Sequence, residues 1–183
     1  VRREIKFGGF GGQGIVLAGY ITGKAVALYD GKHSVFTQLY GPEARGGASS
    51  SEVVIDEDKV IDYPYVTSAD VMVIMSQEAY DKYVERVKEG GILIVDEDLV
   101  KVDDRAKRAV LYKVPATRMA EKLGNKIVAN IVMLGFLTAV TGLVSREAMV
   151  MSIRDSVPER FLEINMRAFE EGYSYAQEVM GGA

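Results

Sequence analysis

The chain contains no cysteine. Disulfides, thiolate nucleophiles, Cys-ligated zinc and Cys-ligated iron–sulfur clusters are therefore excluded together, and any redox centre has to belong to another chain. Histidine is almost as scarce. The single one, His33, follows Gly31-Lys32 in an expected loop with no second histidine beside it. It reads as a solvated or capping residue, because a catalytic histidine needs positioned partners. No run of Lys and Arg forms a stripe able to neutralise a phosphate backbone, and the net charge is −4 with a pI near 5.2. Nucleic acid is not an expected partner. Long hydrophobic runs are missing but for one: Ile127 to Val144, 18 residues without a charge, at the lower edge of a membrane span. Its Asn130, Gly135, Thr138, Thr141 and Gly142, set in a chain of globular composition, point to a buried core or interface helix and to no membrane association. Val1-Arg2-Arg3-Glu4 leads into the first strand without an apolar signal segment, so a cytoplasmic location is expected.

What is present is ordinary in bulk: 183 residues, 48% hydrophobic and 26% charged. A chain of this size buries about 70% of its unfolded surface and can fold alone. The unusual content is local. Ile5-Lys6-Phe7-Gly8-Gly9-Phe10-Gly11-Gly12-Gln13-Gly14 runs into Ile15-Val16-Leu17-Ala18-Gly19, which reads as strand, tight turn and helix N-terminus. Such a turn is an anion seat, since the first helical N–H groups point out of the helix and glycines admit a phosphate to the backbone. A second cluster, Tyr40-Gly41-Pro42-Glu43-Ala44-Arg45-Gly46-Gly47, holds three glycines and a proline in eight residues. Its chain entropy is costly unless something orders it.

Hydrophobic periodicity predicts a first helix over Gln13 to Tyr29 and strands over Ser34–Leu39, Ala48–Ile55 and Val71–Met75. Ser76 is expected to N-cap a helix that runs through Lys88 and stops at Gly90-Gly91. Strands at Ile92–Val95 and Ala109–Val114 follow, separated by the solvated charges of Lys101 to Arg108. The rest is helical, over Ala116–Leu123, Ile127–Thr141, Ser145–Ser156 and Glu159–Met180. In the last helix Phe161, Ile164, Ala168, Phe169, Gly172, Tyr173 and Ala176 form one apolar stripe. The expected fold is α/β, a three-layer α/β/α arrangement with a mostly parallel central sheet and a helical C-terminal part, in a single domain over residues 1–183.

Gly9-x-Gly11-x-x-Gly14 matches the dinucleotide fingerprint in form, but the acid expected at the end of the second strand is missing, since that strand closes Gln38-Leu39-Tyr40. A P-loop is excluded, because no Gly-Lys-Ser/Thr ends the turn. The glycines could also serve helix–strand packing alone, which would leave the second cluster unexplained. If the sheet is parallel and the first two strands are near neighbours, loops 8–14 and 40–47 both leave carboxyl ends of strands. Arg45 would then add a fixed positive fork suited to a phosphate or pyrophosphate. A stand-alone dinucleotide-binding module and a scaffold whose glycine loops fit another subunit both stay open.

The two glycine motifs in this order, with Ser51-Glu52-Val53-Val54-Ile55, Asp70, Met75-Ser76-Gln77-Glu78-Ala79-Tyr80, Gly90-Gly91-Ile92-Leu93-Ile94-Val95-Asp96 and Gly124-Asn125-Lys126 through Asn130 and Gly135, resemble the gamma subunit of 2-oxoacid:ferredoxin oxidoreductases. The resemblance implies a subunit, inert alone, of an enzyme that oxidatively decarboxylates a 2-oxoacid to an acyl-CoA and reduces ferredoxin. It places thiamine diphosphate and magnesium mainly in alpha and beta partner subunits and the iron–sulfur clusters in beta or delta subunits, with coenzyme A as a shared substrate that this chain helps to hold. The implied binding residues are Gly9, Phe10, Gly11, Gly12, Gln13, Gly14, Arg45, Gly46, Gly47 and Asn130, with Glu43 pairing Arg45; no catalytic or metal-ligating residue is assigned. The loop at 40–47 looks more like the 2-oxoglutarate type than the pyruvate type, and the branched-chain and indolepyruvate versions stay open.

Overall fold

The computed structural model describes residues 1–39 and 48–181. Six strands form one sheet in the order β2-β3-β1-β4-β5-β6, where β1 is Arg2–Phe10, β2 His33–Gln38, β3 Ala48–Asp56, β4 Ala69–Ile74, β5 Val87–Asp96 and β6 Val110–Val114. β1, β4, β5 and β6 are parallel, and β3 runs against both β1 and β2, so five strands share one direction. The first two strands are therefore not neighbours, because β3 lies between them. β2 and β3 pair antiparallel directly, which a short connection allows, whereas a parallel neighbour would need a crossover. Both β1 and β2 still end at the same rim.

Six helices cover the sheet: α1 Ile15–Lys24, α2 Gln77–Tyr83, α3 Ala116–Leu123, α4 Ala129–Thr141, α5 Arg146–Ser156 and α6 Leu162–Gly181. Strand alternation divides the core between two faces. Val71, Val73 and Met75 meet α1 and α3 to α6, and Met72 and Ile74 meet Ala79, Tyr80 and Tyr83 of α2. α4 is buried from Ala129 through Thr138, as its uniform apolarity requires. It lies against α6 through two glycines. A Cβ on Gly135 would fall far inside contact distance of the Phe169 carbonyl, and one on Gly172 would do the same to the Val132 carbonyl. Gly135 is thus an internal packing residue, and Gly142, at φ +62°, ends α4 as its left-handed cap. No helix among the described residues is long and apolar enough to cross a membrane.

Two element boundaries differ from expectation. α1 gives way after Lys24 to a π-helical turn over Ala25–Tyr29, so the first helical segment is not uniform. α2 stops at Tyr83, and the chain re-enters the sheet at Val87 instead of continuing helical through Lys88. Val87 is fully buried opposite Ala69, and Gly90, at φ +78°, absorbs the register shift that precedes Val71–Ile92 pairing. The glycine pair therefore bulges a strand and does not end a helix. Ser76 caps α2 as expected, its Oγ accepting from Ala79 N–H at 3.2 Å. His33 is exposed at the start of β2.

One pair on the α2 face was not legible as buried. Lys6, in the middle of β1, is fully buried, and its Nζ donates to Glu52 Oε2 of β3 at 2.8 Å beneath the Tyr83 ring, 4.3 Å from the ring centre. Burial lowers the Lys6 pKa, and the Glu52 carboxylate opposes that shift.

Candidate functional site

The connections divide at β1 and β4. From β1 the chain passes through α1, on one face, to β2; from β4 it passes through α2, on the other face, to β5. A crevice at the carboxyl ends of two such strands is where open α/β sheets bind ligands. The glycine turn occupies it.

Three side chains hold the turn from within. Gln13 Oε1 accepts from Phe10 N–H at 2.6 Å, and Gln13 Nε2 donates to the Met75 carbonyl at 2.9 Å, which bridges the ends of β1 and β4. Asn130 Nδ2 donates to the Gly14 carbonyl at 3.1 Å, and Ser51 Oγ donates to the Ile15 carbonyl at 2.8 Å. Gly14 takes φ +73° as the N-cap of α1, and Ala18 N–H to Gly14 C=O, at 2.9 Å, is the first helical bond. The N–H groups of Ile15, Val16 and Leu17 precede that ladder and point out of the helix start.

Of the residues singled out in the sequence, Gly9, Phe10, Gly11, Gly12, Gln13, Gly14 and Asn130 come together here. Gly9 is the penultimate residue of β1, packed under Gln13 and Ile15, where a Cβ would meet Gln13 Oε1 at 2.6 Å. Gly11 and Gly12 are exposed, and Phe10 is 43% exposed. Gln13 and Asn130 have their side-chain amides engaged with backbone, so they brace the turn. Glu43, Arg45, Gly46 and Gly47 lie outside the described residues. The residues that bound that segment do not: Ala48 pairs with Phe10 across β1 and β3, and Leu39 N–H donates to Ser50 C=O at 3.3 Å. Both ends of the 40–47 segment are therefore at the rim that carries the glycine turn.

Beside the turn opens a cavity of about 730 Å3. Its lining combines Phe10, Gly11, Gly12, Gly14 and Val16 of the turn and α1 with Asn125, Ile127, Asn130, Phe161, Ile164 and Asn165 of the later helical segments, and Ser49 of β3. No charged side chain among the described residues lines it. Sequence reading missed Asn125, in the connection from α3 to α4, and Asn165, in α6, because only tertiary packing brings these two segments beside the glycine turn. Among the described residues no group of three or more His, Asp or Glu is placed to hold a metal ion.

A glycine turn at the switch point of a mostly parallel sheet, braced from below and open to a cavity, places this chain among the open α/β proteins whose candidate site lies at the carboxyl rim. The chain belongs to the pyruvate ferredoxin/flavodoxin oxidoreductase family, whose pattern matches residues 4–175. It is 56% identical over 181 residues to the 2-oxoglutarate synthase subunit KorC of Methanocaldococcus jannaschii, covering 98% of this chain and 96% of that protein. It is 37% identical to the ketoisovalerate oxidoreductase subunit VorA of Methanothermobacter thermautotrophicus, matching 98% of this chain but only 37% of that longer protein. Among solved structures, the keto/oxoacid ferredoxin oxidoreductase gamma subunit from Geobacter sulfurreducens superposes with a TM-score of 0.85 at 44% identity, covering 95% of this chain and 98% of that one.

Proposed function

We propose that this chain is the gamma-type subunit of a 2-oxoacid:ferredoxin oxidoreductase acting on 2-oxoglutarate, forming one domain over its whole length. The observation that carries the reading is the near full-length identity to the 2-oxoglutarate synthase subunit, which exceeds that to the ketoisovalerate protein by 56% to 37%. The complex converts the 2-oxoacid and coenzyme A to an acyl-CoA and carbon dioxide, and two electrons leave singly for ferredoxin. It works in the cytoplasm.

Thiamine diphosphate with its magnesium supplies the decarboxylation chemistry when bound, held mainly by alpha and beta partners, and the iron–sulfur clusters lie in beta or delta partners. This chain has no cysteine with which to ligate such a cluster. Its own task is to bind and orient coenzyme A. The N–H groups of the turn from Gly11 to Leu17 face the phosphates, with Arg45, Gly46 and Gly47 of the neighbouring segment, while Gln13 and Asn130 keep the turn in register. Support comes from the turn at the switch point and from the Phe10–Ala48 pairing, which brings both ends of the Arg45 segment to the same rim. A dinucleotide reading is less favoured, since no carboxylate among the described residues lines the cavity to take a ribose.

The test is the reconstituted complex carrying Arg45→Ala. Loss of one charge-assisted contact, about 1.5–3 kcal/mol, raises the KM for coenzyme A roughly ten- to a hundred-fold with the 2-oxoacid KM unchanged. An unaltered coenzyme A dependence removes Arg45 from the site.

A further inference from the structure

The two edges of the sheet differ in how they are guarded. β6, at one end, is preceded by Arg108, carries the exposed Lys113 and runs into Pro115, features that keep another strand from adding on. β2, at the other end, is His33-Ser34-Val35-Phe36-Thr37-Gln38, without lysine, arginine, acid or proline, and it pairs with β3 along its whole length without a bulge. An edge of that kind is a template for a further strand.

Its alternation tells which main-chain groups are free. Leu39 N–H donates to Ser50 C=O at 3.3 Å, continuing the β2–β3 register, and hydrogen-bonded pairs alternate along an antiparallel ladder. His33, Val35 and Thr37 therefore turn their N–H and C=O toward β3. Ser34, Phe36 and Gln38 turn theirs outward, where no strand among the described residues pairs with them. The side chains alternate as well. Ser34 and Phe36 face α1, with Ser34 Oγ donating to the Gly23 carbonyl at 2.7 Å and the Phe36 ring meeting Tyr20 edge-on at 5.9 Å between centres. Val35 and Thr37 face the other way.

We propose that β2 pairs antiparallel with β2 of a second copy of this chain, Phe36 opposite Phe36 on a two-fold axis perpendicular to the sheet, so that two sheets become one. In that register Ser34 of each copy meets Gln38 of the other, and every outward N–H and C=O of the strand finds a partner. A shift by one residue would set these groups against groups already spent on β3. Val35 lies opposite Thr37, a β-branched pair, and the two Phe36 rings meet beside Tyr20, which is 44% exposed. No like charges come face to face. A strand that complements itself about one residue is what an isologous contact requires, and this selects a second copy over an unrelated strand. The pairing is independent of what the carboxyl rim binds.

Because the chain has no cysteine, introduced thiols report the register directly. Val35→Cys combined with Thr37→Cys sets thiols of the two copies in facing positions about 4.5 Å apart at Cα, and mild oxidation of the full chain should give a covalent dimer on a non-reducing gel. Within one copy the two sites are about 6.8 Å apart with parallel Cβ directions, too far to bridge. Either single variant brings its thiols together only diagonally, about 7–8 Å apart, and should not cross-link. Gln38→Pro removes an outward N–H, a change that an edge strand tolerates. In sedimentation equilibrium the unmodified chain should be a dimer that dissociates on dilution, and Gln38→Pro should raise its dissociation constant at least about tenfold with an unchanged circular dichroism spectrum. The cross-link keeps the test decisive should proline disturb the fold. A chain that is monomeric at about 100 μM, a dimer indifferent to Gln38→Pro, or a double-cysteine variant that cross-links no better than the single ones overturns the proposal.

Discussion

Asn130 and Gly14, 116 residues apart in sequence, are locked together: Asn130 Nδ2 donates to the Gly14 carbonyl at 3.1 Å, and the same amide occupies the space that a Cβ on Gly14 would take. Gly14 also holds φ +73°, where an L-side chain is strained by roughly 1–2 kcal/mol. Gly14→Ala should therefore destabilise the chain by more than that strain alone. Adding Asn130→Ala removes the overlap, so the double variant should be more stable than the sum of the single effects by about 1 kcal/mol. Urea unfolding of the four proteins checks this, and strict additivity contradicts it.

The crossing of α4 and α6 gives a second test. At Gly135 and Gly172 the atoms in the way are backbone, which no rotamer change can clear. Either glycine changed to alanine should cost about 1–3 kcal/mol or more of unfolding free energy, read from a lowered urea midpoint. A loss under about 0.5 kcal/mol would mean that the helices are farther apart than described.

Gly11 behaves in the opposite way. A Cβ there meets nothing within 4 Å, so Gly11→Ala should leave the thermal midpoint of the isolated chain nearly unchanged. On the proposed reading the added methyl crowds the turn offered to the phosphates in the assembled enzyme, and the KM for coenzyme A should rise. A variant that changes stability and leaves KM untouched reverses the assignment.

The buried Lys6–Glu52 pair predicts a mutational and a pH effect. Glu52→Gln leaves an ammonium buried without its counter-charge and should cost about 3–5 kcal/mol, while replacing both residues by apolar ones of similar size should cost far less. Lys6 carries a folded pKa below its unfolded value, so between the two the unfolded chain binds more protons and stability rises with pH. In the window below 10.5, the wild type should gain stability relative to Lys6→Met as pH increases. A difference that is flat or falls with pH contradicts the burial.

The glycine turn, the capped start of α2 and the buried α4 were legible because each depends on local spacing: glycines at a strand end, Ser76 before an acidic turn, an uncharged apolar run. The place of β3 between β1 and β2 was not. Strand pairing across residues 40–47 leaves no mark in hydrophobic alternation. Lys6 misleads for a related reason, since a lysine between Ile5 and Phe7 has the pattern of an outward position, and its partners Glu52 and Tyr83 come from elsewhere in the chain. Gly90-Gly91 carries the usual sign of a helix end, yet the burial of Val87 draws the strand back past it. In the site itself, Gln13 and Asn130 could be picked out by type, but only their hydrogen bonds to Phe10, Met75 and Gly14 show that they brace the turn.

The central claim is that amides at the start of α1 meet the phosphates of coenzyme A within an oxidoreductase complex. Hydrogen exchange of a peptide covering Gly11 to Leu17, measured in the assembled enzyme with and without saturating coenzyme A, addresses it most directly. Exchange of the unladdered amides of Ile15, Val16 and Leu17 should slow by at least about tenfold when the ligand binds. Unchanged exchange there, in an enzyme shown by turnover to be saturated, would contradict the account.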